Sequence, residues 1–240
     1  VISIIIPTLD EEKLLPSILE QFPADICRRY DVEIIVSDGG SRDATISIAR
    51  AAGAVVVTHE EGHRQTIAEG RNRGAEVARG EILVFINADV RVSDVPAFFE
   101  AIENTLSQPG VQGVTTEVHV FPEEEIMADR IFHFWHNLYV RFLNAVGEGM
   151  GRGECQVLTA ETFRAVGGYN ARMVAGEDYD LFRRVRKTGK IVMIRNVVIY
   201  ESPRRFRKYG YIHIVWGWTR NALAVIFRNK SSSEEWEAVR

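Results

Sequence analysis

The chain has 240 residues and a net charge of −4, from 29 basic and 33 acidic residues. With 46% hydrophobic and 26% charged residues it has a folded, globular composition, which excludes a disordered chain, and the small acidic excess argues against nucleic acid as a partner. Two cysteines, Cys27 and Cys155, make neither a disulfide framework nor a zinc site, so a reduced, cytoplasmic protein is expected.

Ile2 to Ile6 is a β-branched run closed by Pro7, as in a strand buried on both faces, and is too short for a signal-peptide core. The chain opens on Val1, so a trimmed start is expected. Leu14, Leu15, Ile18, Leu19 and Phe22 then recur at helical spacing. Val32 to Val36 is a second strand, and Asp38-Gly39-Gly40-Ser41 is a turn. Asp43 can cap a helix carrying Ile46, Ile48 and Ala49, with Gly53 where a C-cap belongs. A third strand at Ala54 to Val57, a helix over Thr66 to Ala78 and a fourth strand at Ile82 to Ile86 follow. Strands alternating with helices imply right-handed crossovers and a mostly parallel, Rossmann-like α/β sheet with helices on both faces.

The second half changes character. Val111 to Phe121 alternates apolar and polar residues, like a longer strand with one wetter face. Ile126 to Val146 is an aromatic-rich helix, and Gly147 to Gly153 reads as a mobile loop. Glu177 to Lys187 is a helix, and Val197 to Tyr200 a late strand. With no linker and no repeat, one domain is expected. It comprises a nucleotide-binding half (about 1–110), an acceptor half (about 111–210) and a C-terminal amphipathic helix and tail (211–240).

Open parallel sheets bind ligands beyond the carboxyl ends of their strands. The polar residues there are Thr8, Asp10 and Glu11 after the first strand, Asp38 after the second, and Asn87 and Asp89 after the fourth. Taken singly, Thr8, Asp10 or Asp43 could be no more than helix caps. Asn87 and Asp89 are harder to dismiss: two oxygen donors one residue apart after a buried strand suit a hard divalent cation bridging phosphates.

Pro7-Thr8-x-Asp10-Glu11, Asp38-Gly39-Gly40-Ser41, Arg71-Asn72-x-Gly74, Asn87-Ala88-Asp89 and Glu177-Asp178, in this order and spacing, resemble family 2 glycosyltransferases of the GT-A fold. The resemblance runs from Ile2 to about Tyr209, and Arg204-Arg205-Phe206-x-Lys208-x-Gly210 resembles small, non-processive bacterial or archaeal members. It implies transfer of one sugar from a nucleoside-diphosphate sugar to an acceptor hydroxyl, with inversion. Asp38 and Arg71 would contact the base, Thr8 and Glu11 would line the nucleotide pocket, and Asp89 would hold Mn²⁺ or Mg²⁺ on the diphosphate. Asn87 departs from the family's Asp-x-Asp pattern and would reach the ribose or a metal-bound water. Of the catalytic pair Glu177 and Asp178, Asp178 would be the general base.

Other signals are negative. No register of Gly147 to Gly153 gives a dinucleotide fingerprint, so that loop is expected to flex around the acceptor. His133 and His136 are expected to be packing residues. The Gln-x-x-Arg-Trp box of processive synthases is missing. The glycine-rich loop of sugar-phosphate nucleotidylyltransferases, the nearest alternative enzyme, is replaced by Pro7-Thr-Leu-Asp-Glu11. A non-catalytic sugar-nucleotide or membrane-surface binding module is the other alternative. Arg204, Arg205, Arg207 and Lys208 form the one basic cluster, and an aromatic stretch from Tyr211 to Phe227 follows. Residues 204–227 could thus rest on the inner face of a membrane, as a peripheral contact that presents a saccharide or lipid-linked acceptor.

Overall fold

The computed structural model describes residues 1–59, 62–173 and 175–228, with side chains described through residue 220. The expected tail at 229–240 and the side chains of Leu223, Ile226 and Phe227 lie outside the described residues. In chain order the first half comprises β1 (Ile2–Thr8), α1 (Leu15–Leu19), α2 (Ala24–Arg29), β2 (Val32–Asp38), α3 (Thr45–Ala51), β3 (Val55–Thr58), α4 (Ile67–Val77) and β4 (Ile82–Ile86). Then come β5 (Val90–Val92), α5 (Val95–Leu106), β6 (Val111–Val120), α6 (Met127–Ala145), β7 (Cys155–Thr159), α7 (Ala160–Ala165), α8 (Glu177–Arg186), β8 (Lys190–Glu201), α9 (Arg204–Tyr209) and α10 (Tyr211–Arg228).

The eight strands form one sheet in the order β3-β2-β1-β4-β7-β6-β8-β5. Pairing is parallel from β3 through β4, with Ile2 opposite Val32 and Thr8 opposite Asp38. Beyond β4 the sheet is mixed: β7 runs antiparallel to β4 and β6, β8 is parallel to β6, and β5 is antiparallel to β8. The chain leaves β1 toward β2 and β3 on one side and returns to β4 on the other. The carboxyl ends of β1 and β4 therefore flank the switch point where such sheets open a crevice.

Ile4, Ile5 and Ile6 are fully buried, because β1 is covered on both faces. Each such side chain contributes roughly 2 kcal/mol of hydrophobic stabilisation. Ile4 and Ile6 join the core beneath α1, α3 and α5, whereas Ile5 joins the core beneath α4 and α8. Gly74 lets α4 lie close on β1, since a Cβ there would come within 2.5 Å of Ile5 Cγ2. Thr66 starts α4 with a capping box, its hydroxyl accepting from the Glu69 N–H while the Glu69 carboxylate accepts from the Thr66 N–H.

Several expectations change in extent. The first helix is short and gives way to α2, which buries no residue fully and so leaves little apolar periodicity in the sequence. The late strand is β8, twelve residues long instead of four. The centre of β6 has no wetter face: Gly113 to Thr116 are buried because β7 and β8 flank the strand and α5 and α8 pack on it. Asp43 does not cap α3 in the usual sense. Its Oδ1 accepts from the Thr45 N–H and its Oδ2 from the Glu12 N–H, so it ties two loops together. Cys27 and Cys155 are both free thiols.

Candidate active site

The loops after β1 and β2 are laced to each other. Asp38 is fully buried; its Oδ1 accepts from the Gly40 and Ser41 N–H groups at 2.9 and 2.8 Å, and its Oδ2 accepts from the Thr8 hydroxyl at 3.0 Å. Ser41 Oγ also donates to Asp38 and accepts the Asp10 N–H, while Asp10 Oδ1 accepts the Arg42 N–H. Gly40 at φ 94° and Asp10 at φ 52° take the left-handed turns that these bonds require. Both oxygens of Asp38, expected at the base, are thus engaged in ordering the loop, and Thr8 is bound to the same carboxylate.

Arg71 leaves the first turns of α4 and is only 1% exposed. Its guanidinium donates to Glu177 Oε1 at 3.0 Å, Asn87 Oδ1 at 3.1 Å and the Gly153 carbonyl at 2.7 Å. It therefore works inside the protein, tying the end of β4 to the start of α8. The neighbouring Asn72 fixes the other side of α4, exchanging two 2.8 Å hydrogen bonds with the Tyr169 backbone. Asn87 spends its carbonyl oxygen on Arg71.

Gly176, at φ 81°, turns the chain into α8 and places Glu177 and Asp178 in its first turn. The two acids differ in their surroundings. Glu177 is paired with Arg71 and buried; burial and the adjacent Asp178 push its carboxyl up to about 7 against the opposing guanidinium. Asp178 is half-buried, accepts the N–H of its neighbour Tyr179 on Oδ1 at 2.8 Å, and turns Oδ2 toward Gly153. Burial raises its pKa too, with Arg71 opposing. A Cβ on Gly153 would lie 2.9 Å from that oxygen.

The glycine-rich loop is consequently not the flexible element expected. A Cβ on Gly149 would come within 2.6 Å of the Phe182 carbonyl, and one on Gly151 within 2.6 Å of the Phe182 ring. Gly149, Gly151 and Gly153 pack this loop directly on α8. Its Arg152 is buried and holds Glu154 at 3.0 Å and Glu201 at 3.2 Å. Although burial opposes it, Arg152 holds the Glu154 carboxyl down to about 2, while burial and Glu154 push Glu201 well above the usual range. His133 and His136 pack among aromatic rings; burial, then Arg152, depresses His133 to about 3.

Asp89 lies just beyond β4, and Ser202 at the end of β8 donates its N–H to the Asp89 carbonyl. Arg204 at the start of α9 reaches Asp89 Oδ2 at 3.1 Å and Glu11 Oε1 at 3.5 Å, bringing the ends of β1, β4 and β8 together. Burial raises the Asp89 pKa, with Arg204 opposing. These are oxygen donors around a position that already attracts a cation. Among the described residues no three His, Cys, Asp or Glu form a cage. One carboxylate completed by phosphate oxygens and water suits Mg²⁺ or Mn²⁺, which keep most of their shell from such ligands, so Asp89 fits the expected metal. Arg152 and Glu154 carry no signal in the sequence, whereas Glu201 follows the late strand as Asp38 and Asn87 follow the early ones.

Residues 3–146 match the family model described as glycosyl transferase family 2. The chain is 29% identical over 237 residues to a 4,4'-diaponeurosporenoate glycosyltransferase of Staphylococcus haemolyticus, covering 93% of this chain and 61% of that protein. It is 36% identical over 91 residues to a PGL/p-HBAD biosynthesis glycosyltransferase of Mycobacterium bovis, covering 36% of this chain and 34% of that protein. The chain thus spans about a third to three-fifths of the length of these relatives. Among solved structures it resembles a Pyrobaculum calidifontis mannosyltransferase in complex with GDP-Man and Mn²⁺ (TM-score 0.64, 21% identity, covering 84% of this chain and 56% of that one). It also resembles the Mycobacterium tuberculosis glucosyl-3-phosphoglycerate synthase bound to Mn²⁺, UDP and phosphoglyceric acid (TM-score 0.62, 23% identity, covering 94% and 76%). At these identities the structural likeness carries the fold, which is GT-A, and the family model carries the membership: the chain belongs to glycosyl transferase family 2.

Proposed function

We propose that the chain is an inverting glycosyltransferase that moves one sugar from a nucleoside-diphosphate donor to an acceptor hydroxyl, with Asp178 as general base. The observation that carries this is the inequality of the two acids at the start of α8. Glu177 is consumed by Arg71, whereas Asp178 has no cation bonded to it among the described residues and turns one oxygen toward Gly153. Asp178 takes the proton of the acceptor hydroxyl as its oxygen bonds the anomeric carbon, and the carbon–oxygen bond to the diphosphate breaks with its electron pair on the leaving group. Glu177 and Arg71 position Asp178, and the Asp38–Ser41 loop forms the floor for the base, with Thr8 behind it. A divalent cation held by Asp89 would offset charge growing on the leaving diphosphate. Arg204, already beside Asp89 and Glu11, is placed to contact the same phosphates. Residues 1–110 serve the donor and 111–210 the acceptor, a saccharide or a lipid-linked hydroxyl. Segment 204–227 is the candidate for contact with the membrane's inner face; among the described residues no helix is long and apolar enough to cross a membrane.

Calorimetric titration with UDP, GDP, CDP and dTDP, with and without Mn²⁺, tests the donor site. One nucleotide should bind with manganese enhancement, and Asp89→Ala should remove about tenfold or more of that enhancement, the equivalent of one lost charge-assisted contact. Nucleotide binding that ignores both manganese and Asp89 would refute the metal assignment. Tight binding without any release of free nucleoside diphosphate from donor sugars would turn the reading toward a binding module.

A further inference from the structure

α6 carries its apolar residues on the wrong side for a helix of a free globule. Met127, Ile131, Phe134, Trp135, Leu138, Tyr139 and Phe142 recur every three or four positions along one face, and all are exposed, Trp135 by 62%. Scattered exposed hydrophobics are ordinary, but a continuous aromatic stripe marks an interaction surface. The inward face of the same helix is polar over its first three turns, with Asp129, His133 and Asn137 buried.

α10 lies alongside. Trp218 packs on Phe132 and His136 of α6, and Asp129 at the start of α6 is bonded by Arg207 of α9 and Tyr211 of α10. α10 exposes Ile212, Val215 and Trp216, the last by 68%. The sequence of these elements is basic. From Arg204 to Arg228 there are six Arg and Lys and no Asp or Glu, in a chain of net charge −4; Arg204 and Arg207 among them pair with Asp89 and Asp129. The exposed face of α6 adds Arg130 and Arg141 and no acid; of the three acids just before the helix, Glu123 and Glu125 are paired with Arg91 and Arg130, and Glu124 is exposed.

We propose that the exposed face of α6, together with α10, docks the protein on an anionic lipid surface, with Phe134, Trp135, Tyr139 and Trp216 in the interfacial layer. Amphipathic helices with aromatic residues on the apolar face and cations at its margin bind such surfaces through buried area plus electrostatic attraction. A second copy fits less well, because a two-fold interface sets a patch against itself and would oppose Arg130 and Arg141 with their own like charges. The proposal builds on the reading of 204–227 as a membrane contact and moves its main element to α6. α6 also backs the site from its inward face, His133 lying 3.7 Å from Glu201.

Flotation with vesicles of phosphatidylcholine mixed with phosphatidylglycerol, against phosphatidylcholine alone, tests it. The full chain should float with the mixed vesicles, lose binding in high salt, and lose about tenfold or more in Phe134→Glu/Trp135→Glu, since binding scales with buried apolar area. Calorimetric nucleotide binding of that variant should match the parent, which separates loss of docking from loss of fold or of the donor site. Arg141→Glu, which removes no apolar surface, should weaken binding only to the anionic vesicles. Absence of flotation by the parent, or equal flotation by parent and double variant, overturns the proposal. If Trp216→Glu alone abolishes binding while the α6 variant floats, the membrane reading of 204–227 stands and the assignment to α6 falls. A dimer in light scattering that Trp135→Glu disperses, with no vesicle binding, assigns the face to a second copy instead.

Discussion

The two ends of the crevice use the same residue types for opposite purposes. At the β1–β2 end, the carboxylates of Asp10, Asp38 and Asp43 are hydrogen-bonded by backbone N–H groups of short loops, and those bonds set the loops' shape. At the α8 end, Glu154, Glu177 and Glu201 face buried guanidinium groups of Arg71 and Arg152, and Asp178 turns one oxygen toward Gly153. A carboxylate held by fixed backbone donors is scaffold. One held by burial and a neighbouring charge has a shifted pKa, upward in Glu177 and Glu201 and downward in Glu154. Partner type, more than residue type, separates structure from chemistry here.

The largest test of this contrast is Asp178→Asn, which keeps the Tyr179 N–H bond but cannot accept a proton. Transfer should fall roughly 10²–10⁴-fold, the range for a lost general base, with nucleotide affinity unchanged by calorimetry. Transfer at the parent rate would move the base elsewhere. Next is Arg71→Met, which leaves Glu177 buried without its cation. Urea denaturation should show a loss of about 3–5 kcal/mol, as for breaking a buried pair from one side, where a surface arginine would cost almost nothing.

The pH dependence separates the two acids of α8. Because the Asp178 pKa is raised, transfer should fade on acidification at a pH above that of an ordinary aspartate, in a pH–rate profile. Glu177, pushed up to about 7, binds its proton more tightly folded than unfolded. Its contribution to stability is therefore present below the ordinary glutamate range and is lost as pH rises toward 7, at on the order of 1 kcal/mol per pH unit. Denaturation of Glu177→Gln across that window should show the slope removed; an unchanged slope would place its origin in another group. The smallest effect belongs to the other end of the crevice: Asp43→Ala should cost about 1 kcal/mol for its exchanged loop hydrogen bonds, with no change in the pH profile of transfer.

Much of the site was legible because the chemistry of parallel sheets is local. Thr8, Asp38, Asn87 and Asp89 stand at or just beyond strand ends, and the strands were visible as β-branched runs such as Ile2 to Ile6. β7 was hidden because Gln156 interrupts a run of only five residues, and β5 because three residues carry no periodicity. The seven residues from Gly147 to Gly153 looked like a loop free to move, since sequence cannot distinguish a glycine that supplies mobility from one that makes room for a neighbour.

The alternation of strands and helices in the first half, the order of the polar residues along the crevice and the family to which they point are all written in the primary structure. These depend on periodicities of two and 3.6 residues and on motifs a few residues long, all of which are read within one stretch of chain. Only the tertiary structure decided that Arg71 pairs with Glu177, 106 positions away, and that Arg204 joins Glu11 to Asp89 across 193 and 115 positions. It also decided that α6 turns its aromatic stripe outward. An amphipathic helix announces that it has an apolar face, but which side that face takes depends on what the rest of the fold packs against it.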